Sequence, residues 1–176
     1  MSRGLTEACR KLKWWQIAFI SAGVSLLGGL AGMTSKKTQR RLYNTRLEQA
    51  PWAPPSWAFG PAWTFNNFFL ITALRRILVA DIPHKRKLLW LQAGIWAIFF
   101  SFNYVYFRKR SPVLAAVWTM SDNILALASL LIAAEHDRKL ALNYLPLTLW
   151  TTYASSLAGY QALKNPDPVF DSPALV

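Results

Sequence analysis

Asp122 is the one acid inside any long uncharged run of this 176-residue chain, and it follows Trp118 by four residues. A carboxylate in hydrocarbon is costly, so such an acid must face a bundle interior, a partner or water. Two roles fit it equally: a hydrogen-bonding group for a ligand, or a protonated or paired acid that pins two helices. Asn103, three residues before Tyr106, poses the same choice, and a buried Asn between helices commonly cross-links them. Helical spacing groups two further sets. Phe59, Trp63 and Asn67 lie four apart on one face, and Trp150, Ala154 and Leu157 fall at i, i+4 and i+7. Trp63, Trp118 and Trp150 each share a face with another of these residues. Together they could wall an apolar cavity for a flat aromatic ligand, held by stacking and by indole N–H donation. The chemistry is recognition rather than bond-making. The chain has no nucleophile–base constellation and no CxxC, HExxH, GxGxxG or P-loop pattern, so no catalytic residue, metal or cofactor is expected.

The elements that must position these residues are set by charge and hydropathy. The chain is 53% hydrophobic with nine Trp, yet carries a net charge of +12. Lys and Arg fall in short clusters between long apolar runs, which is the layout of a multi-span membrane protein rather than of a nucleic-acid-binding face. The expected fold is an all-α integral membrane protein, a single bundle of five transmembrane helices at about 14–34, 57–76, 88–107, 112–134 and 140–164. A run of about 20 apolar residues is enough to cross a bilayer. Residues 1–13 form a basic preface, and 165–176, with three prolines, read as a flexible tail. The first run could also be a secretory signal, but it is long and its cleavage-site pattern is poor. Ser21, Ser25 and the glycines after them suit close helix packing. Cys9 is the single cysteine, so no intrachain disulfide forms. Lys and Arg number 11 on the N-terminal side of the expected topology and 9 on the other, too even to set an orientation. The multi-pass location is therefore expected without a particular membrane.

Between the first two spans lies the longest connection, 36–56, bearing Lys36, Lys37, Arg40, Arg41 and Arg46. A connection of this length is commonly mobile or a lid. It leads into Pro51–Thr64, which packs four prolines and three tryptophans into fourteen residues. Pro54 and Pro55 stiffen an extended arm, and Pro61 either kinks the next helix or belongs to its first turn.

That stretch, through Trp52, Pro54, Pro55, Trp57, Phe59, Gly60, Pro61, Trp63 and Thr64, resembles the TspO/MBR family of tryptophan-rich sensory and translocator proteins, also called the peripheral benzodiazepine receptor family. Over about residues 14–165 the order of Asn103, Trp118, Asp122, Pro146, Trp150, Ala154, Leu157 and Asn165 agrees with it. The resemblance implies a five-helix membrane bundle, often a homodimer, that binds porphyrins, sterols or benzodiazepine-type ligands beneath the first long loop. Carried over by position, the pocket would be lined by Phe59, Trp63, Asn103, Tyr106, Trp118, Asp122, Trp150, Ala154 and Leu157. Asn67, Leu147 and Ala158 depart from the family's usual Tyr, Tyr and Asn, so ligand preference does not transfer, and a bacterial or otherwise divergent member is implied over an animal one. The expected function is a membrane-embedded binder of tetrapyrroles (protoporphyrin or heme type) or sterol-like molecules, a sensor, carrier or scavenger. Arg40, Arg41 or Arg46 would neutralise ligand carboxylates at the loop mouth. The alternatives are a light- or oxidant-dependent porphyrin-degrading enzyme, or a transporter of small hydrophobic molecules, which the lack of an internal repeat disfavours. Leu157, Tyr160 and Lys164 also fit the proposed cholesterol pattern, which an interfacial anchor explains as well.

Overall fold

A computed structural model of the chain describes residues 3–30 and 42–176. Arg40 and Arg41 lie outside the described residues, as does the end of the expected first span. Among the described residues six α-helices follow in order: α1 (Arg3–Lys11), α2 (Trp14–Leu30), α3 (Phe59–Val79), α4 (Lys85–Asn103), α5 (Pro112–His136) and α6 (Arg138–Lys164). Short π-helical segments at Leu42–Arg46 and Tyr104–Arg108 and a 3-10 turn at Ser56–Ala58 complete the helical elements.

The helices stop where backbone chemistry stops them. The proline arm enters α3 through Ser56–Ala58, and Pro61 sits in the first turn of α3, where its missing N–H costs nothing. Ser111 caps α5 by accepting the Leu114 N–H at 3.1 Å, and Pro112 follows at the first helical position. Asp137 is the whole connection between α5 and α6. Its carboxylate accepts the Leu140 N–H at 3.1 Å and also pairs with Arg76 of α3. Burial pushes the Asp137 carboxyl up, but the Arg76 hydrogen bond, the Leu140 and Lys139 N–H groups and the Arg76 charge outweigh it and hold it below the usual carboxylate range.

Helices α2, α3, α6, α5 and α4 close a ring in that order, each packed on the next and α4 back on α2. A Cβ on Gly28 of α2 would collide with the Phe99 ring of α4, so glycine is what lets these two helices approach. Among the described residues two helical stretches, Lys85–Arg108 and Pro112–His136, are long and apolar enough to cross a membrane by length and composition alone. Helices α3 and α6 are as long, with 21 and 27 residues, but they carry Asn66, Asn67, Tyr144, Thr148, Thr151 and Gln161 buried within the bundle. Average hydropathy understates a span whose polar groups face its neighbours.

The bundle has two unlike ends. At the turn end, where α3 meets α4 and α5 meets α6, a dry core joins Leu70, Ala73, Ile77, Leu88, Ile95, Ala126, Leu140, Tyr144 and Leu147. Gln92 at its centre donates to the Leu70 carbonyl at 2.6 Å and accepts the Tyr144 hydroxyl at 2.9 Å. The loop end carries residues 42–58, the Tyr104–Arg108 segment and the C-terminal residues. There the expected loose tail proves to be pinned. Asp167 accepts the Ser111 hydroxyl and the N–H groups of Val113, Val169 and Phe170, forms a bridge with Ser172, and the Leu175 N–H reaches the Leu163 carbonyl at 2.8 Å. Four donors on one carboxylate explain the difference, and a count of prolines cannot reveal them.

Candidate functional site

The loop end is built from the 42–56 connection downward. Its side chains and backbone are strapped to α6. Asn165 accepts the Glu48 N–H at 2.7 Å and donates to the Glu48 carbonyl at 3.1 Å. Tyr160 donates to the Glu48 carboxylate at 3.1 Å, and Gln161 donates to Gln49 at 2.6 Å. The Trp52 indole donates to Ser156 at 3.2 Å, and Tyr153 donates to the Trp52 carbonyl at 2.7 Å. The described part of the connection, 42–56, is thus bonded down over the bundle as a roof. Tyr160, singled out in the cholesterol pattern, spends its hydroxyl on Glu48 and its ring on Trp52, with centroids 5.6 Å apart.

An aromatic column descends from the roof. Tyr43 meets Phe59 edge-on at 5.4 Å, Phe59 meets Trp150 at 5.7 Å, and Trp150 meets Tyr153 at 5.9 Å. The Tyr43 hydroxyl donates to the Pro54 carbonyl at 2.8 Å, and burial, with Tyr153 nearby, pushes this phenol up to about 12, so it stays a donor. In the same cluster as Tyr43 and Phe59, Tyr106 stacks on Phe102 at 5.6 Å and donates to Gln161 at 2.9 Å.

Below the column lies a layer of unfinished polar chemistry. Among the described residues, five buried side-chain atoms have no hydrogen-bond partner: Asn67 Oδ1, Trp96 Nε1, Asp122 Oδ1, Trp150 Nε1 and Ser155 Oγ. They come from α3, α4, α5 and α6. At 1.5 Å per residue each sits roughly 10–20 Å below the loop end of its helix, near the middle of the bundle. Because the atoms are buried, they face other helices rather than lipid. An orphaned buried polar group costs about 1–3 kcal/mol. Spread over four helices in the middle of the bundle, they supply three acceptor-capable oxygens and two indole donors, groups that suit a mostly apolar guest with a few polar points.

The expected site residues divide accordingly. Asn67, Asp122 and Trp150 contribute to this layer, Asn67 also donating to Ser25 at 3.1 Å. Phe59 belongs to the column, Trp63 lies on Phe99 at 5.0 Å, Leu157 is buried and Ala154 is half-buried. Asn103, Tyr106 and Trp118 spend their donors inside the protein: Asn103 on the Gly28 carbonyl at 2.8 Å, Tyr106 on Gln161, and Trp118 on Ser101 at 2.9 Å. Tyr106 and Trp118 therefore offer surface rather than a free N–H or O–H, while Asn103 has a second amide N–H beyond the one on Gly28. Trp96 and Ser155 were not expected here. Trp96 stands seven residues, two turns, before Asn103, so the spacing held a signal for it, whereas nothing in the sequence marks Ser155. Arg46 lies apart, in a surface groove of about 590 Å3 that it shares with Arg110 and Asp167.

A closed ring of five helices, a proline-rich roof and a mid-bundle polar layer among indoles define a membrane receptor-like bundle. Residues 17–163 match the model of the TspO/MBR family, and the chain belongs to that family. It is 26% identical over 136 residues to the tryptophan-rich protein TspO of Archaeoglobus fulgidus, covering 73% of this chain and 84% of that one. It is 28% identical over 118 residues to the uncharacterized membrane protein YtaB of Bacillus subtilis, covering 66% of this chain and 75% of that one. The protein is a multi-pass integral membrane protein, and the family supports a ligand-binding role in the bilayer.

Proposed function

We propose that this protein binds tetrapyrroles of the protoporphyrin or heme type, or sterol-like hydrophobic molecules, within its loop end, and serves as their sensor, carrier or scavenger, as a homodimer. The observation that carries this reading is the layer of five buried, unpartnered polar atoms under the aromatic column. A dry structural core has no use for them, and a guest with a few polar atoms satisfies them. The planar walls offered by Trp63, Trp118 and Trp150 favour a flat ring system. The guest would be held by Asp122, Asn67 and Ser155 through its polar edge and by the Trp150 and Trp96 indoles as donors.

The test is quenching of tryptophan fluorescence by protoporphyrin IX in detergent, paired with thermal shift, since a ligand of the folded state stabilises it. Asp122→Asn, Ser155→Ala and Trp150→Phe are each expected to weaken binding by about ten-fold, the size of one buried hydrogen bond. Trp14→Phe, at an exposed belt position, is expected to leave it unchanged. Equal affinity across all four variants would reject the assignment.

A further inference from the structure

The search for a second site leads to the opposite end of the molecule. Between the last turns of α3 and the first turns of α6 lies a groove of about 460 Å3 whose rim holds Arg75, Arg76 and Lys139 and whose walls include Val79, Leu142 and Asn143. It sits at the turn end, far along both helices from the roof. We propose that this groove binds the headgroup of an anionic phospholipid, with the lipid's acyl chains running down the α3–α6 seam.

Three observations converge on that occupant. The first is charge. Among the described residues, Arg76–Asp137 is the one pairing of an Arg or Lys with a carboxylate. Arg75 bonds only neutral acceptors, the Cys9 carbonyl at 2.8 Å and the Arg10 carbonyl at 2.9 Å, so its charge is not cancelled. Lys139 is exposed at the groove edge. The rim therefore carries an excess of positive charge, with the Asn143 amide beside it. A phosphodiester matches this rim through charge-assisted hydrogen bonds.

The second is depth. Trp90, one turn into α4, and Trp14, at the start of α2, are 70% and 73% exposed at this same end. Exposed Trp marks the headgroup level of a bilayer. The groove is thus level with lipid phosphates, in the position where basic pockets between membrane helices hold anionic headgroups.

The third is the apolar floor. Leu142, Leu145 and Leu149 on α6 are 52%, 37% and 63% exposed, and they continue from the groove toward mid-membrane. A free phosphate has no use for such a floor, whereas a diacyl lipid does. The two carbonyls that Arg75 holds belong to the end of α1, whose Arg10 and Lys11 add positive charge to the same surface.

The experiment uses the full-length protein in detergent micelles, with phosphatidylglycerol and phosphatidylcholine added in turn and the lipid retained per protein measured by native mass spectrometry. Wild type is expected to retain phosphatidylglycerol in preference to phosphatidylcholine. Lys139→Gln, which removes an exposed side chain, is expected to lower that retention about five-fold, the effect of one Lys at an anionic surface. Lys139→Arg is expected to keep it. Arg86→Gln, an equal change in net charge on the same side but outside the groove, is expected to keep it too. Equal retention of both lipids by wild type would overturn the proposal. So would equal losses for Lys139→Gln and Arg86→Gln, which would mean diffuse surface charge, or displacement of the lipid by millimolar inorganic phosphate, which would mean a site for a free anion.

Discussion

The two ends of this bundle spend their buried polar groups in opposite ways. At the turn end, Gln92 joins the Leu70 carbonyl to the Tyr144 hydroxyl, and aliphatic side chains from four helices close around them. Nearer the loop end, the roof over the bundle is richly bonded, yet Asn67, Asp122, Trp150 and Ser155 beneath it, with Trp96 at the border of the aliphatic core, keep atoms unpartnered. One half has already gained its stabilisation from packing. The other holds polar capacity in reserve, which is the usual signature of a surface built to be completed by something else. Stability and binding should therefore separate by height along the helices.

The largest test of that separation is Leu88→Ala, at a fully buried turn-end position. It should cost about 2–5 kcal/mol in thermal or denaturant unfolding in detergent, because the cavity cannot collapse within a close-packed core. Porphyrin affinity of the surviving folded protein should stay within about two-fold, since no atom of the polar layer moves. An equal loss of both would merge the two halves into one unit. Asp122→Leu should do the reverse. Removing a buried carboxylate that has an unpartnered oxygen should stabilise the ligand-free protein by about 1–3 kcal/mol while weakening the ligand. A destabilised Asp122→Leu would show that the acid is structural.

Asp137→Asn, which keeps a capping oxygen but removes the charge that pairs with Arg76, should cost less, about 1 kcal/mol, the scale of a partly exposed ion pair. Here the sign of the pH dependence follows from the depressed pKa. The native carboxylate contributes stability above the ordinary carboxylate pKa, and that contribution fades as pH falls through the lower folded value. Unfolding curves of wild type and Asp137→Asn should therefore differ near pH 7 and converge in acid. A gap that persists at low pH would mean that the hydrogen-bond geometry, not the charge, matters. The smallest effect is expected from Tyr160→Phe, which removes one exposed strap on the roof. It should leave stability little changed and show instead as faster ligand association and dissociation in stopped-flow quenching. Unchanged rates would make the roof a fixed cap.

Much of this arrangement was legible in the chain, and the limits have physical causes. The all-helical membrane character was legible because charged clusters cannot sit in hydrocarbon, and Asp122 stood out for the same reason. Helical spacing grouped Asn67, Asp122 and Trp150 with other unusual residues, and each has a buried, unpartnered atom. Spacing says nothing about what a side chain finds when it gets there, so it could not tell Trp150, whose indole N–H is unspent, from Trp118, whose indole N–H is taken by Ser101. Nor could it foresee that Asn103 would reach back to the Gly28 carbonyl, because that bond depends on α2 and α4 meeting at a glycine. The strap between Glu48 and Asn165 joins residues far apart in sequence, and no local pattern records such a pairing.

The pinned C-terminal residues carry a practical consequence. Asp167 fastens them to the first turn of α5, and the Leu175 N–H fastens them to the last turn of α6, so the chain end is part of the scaffold that carries the roof. Its carboxyl is raised by burial but lowered further by Ser111 and three N–H groups, which keeps this clasp closed at neutral pH. A purification handle or fluorescent reporter fused after Val176 would tug on that clasp, whereas the same fusion at the opposite terminus would leave it untouched. Ligand-binding measurements on fusions should be compared between the two placements before they are interpreted.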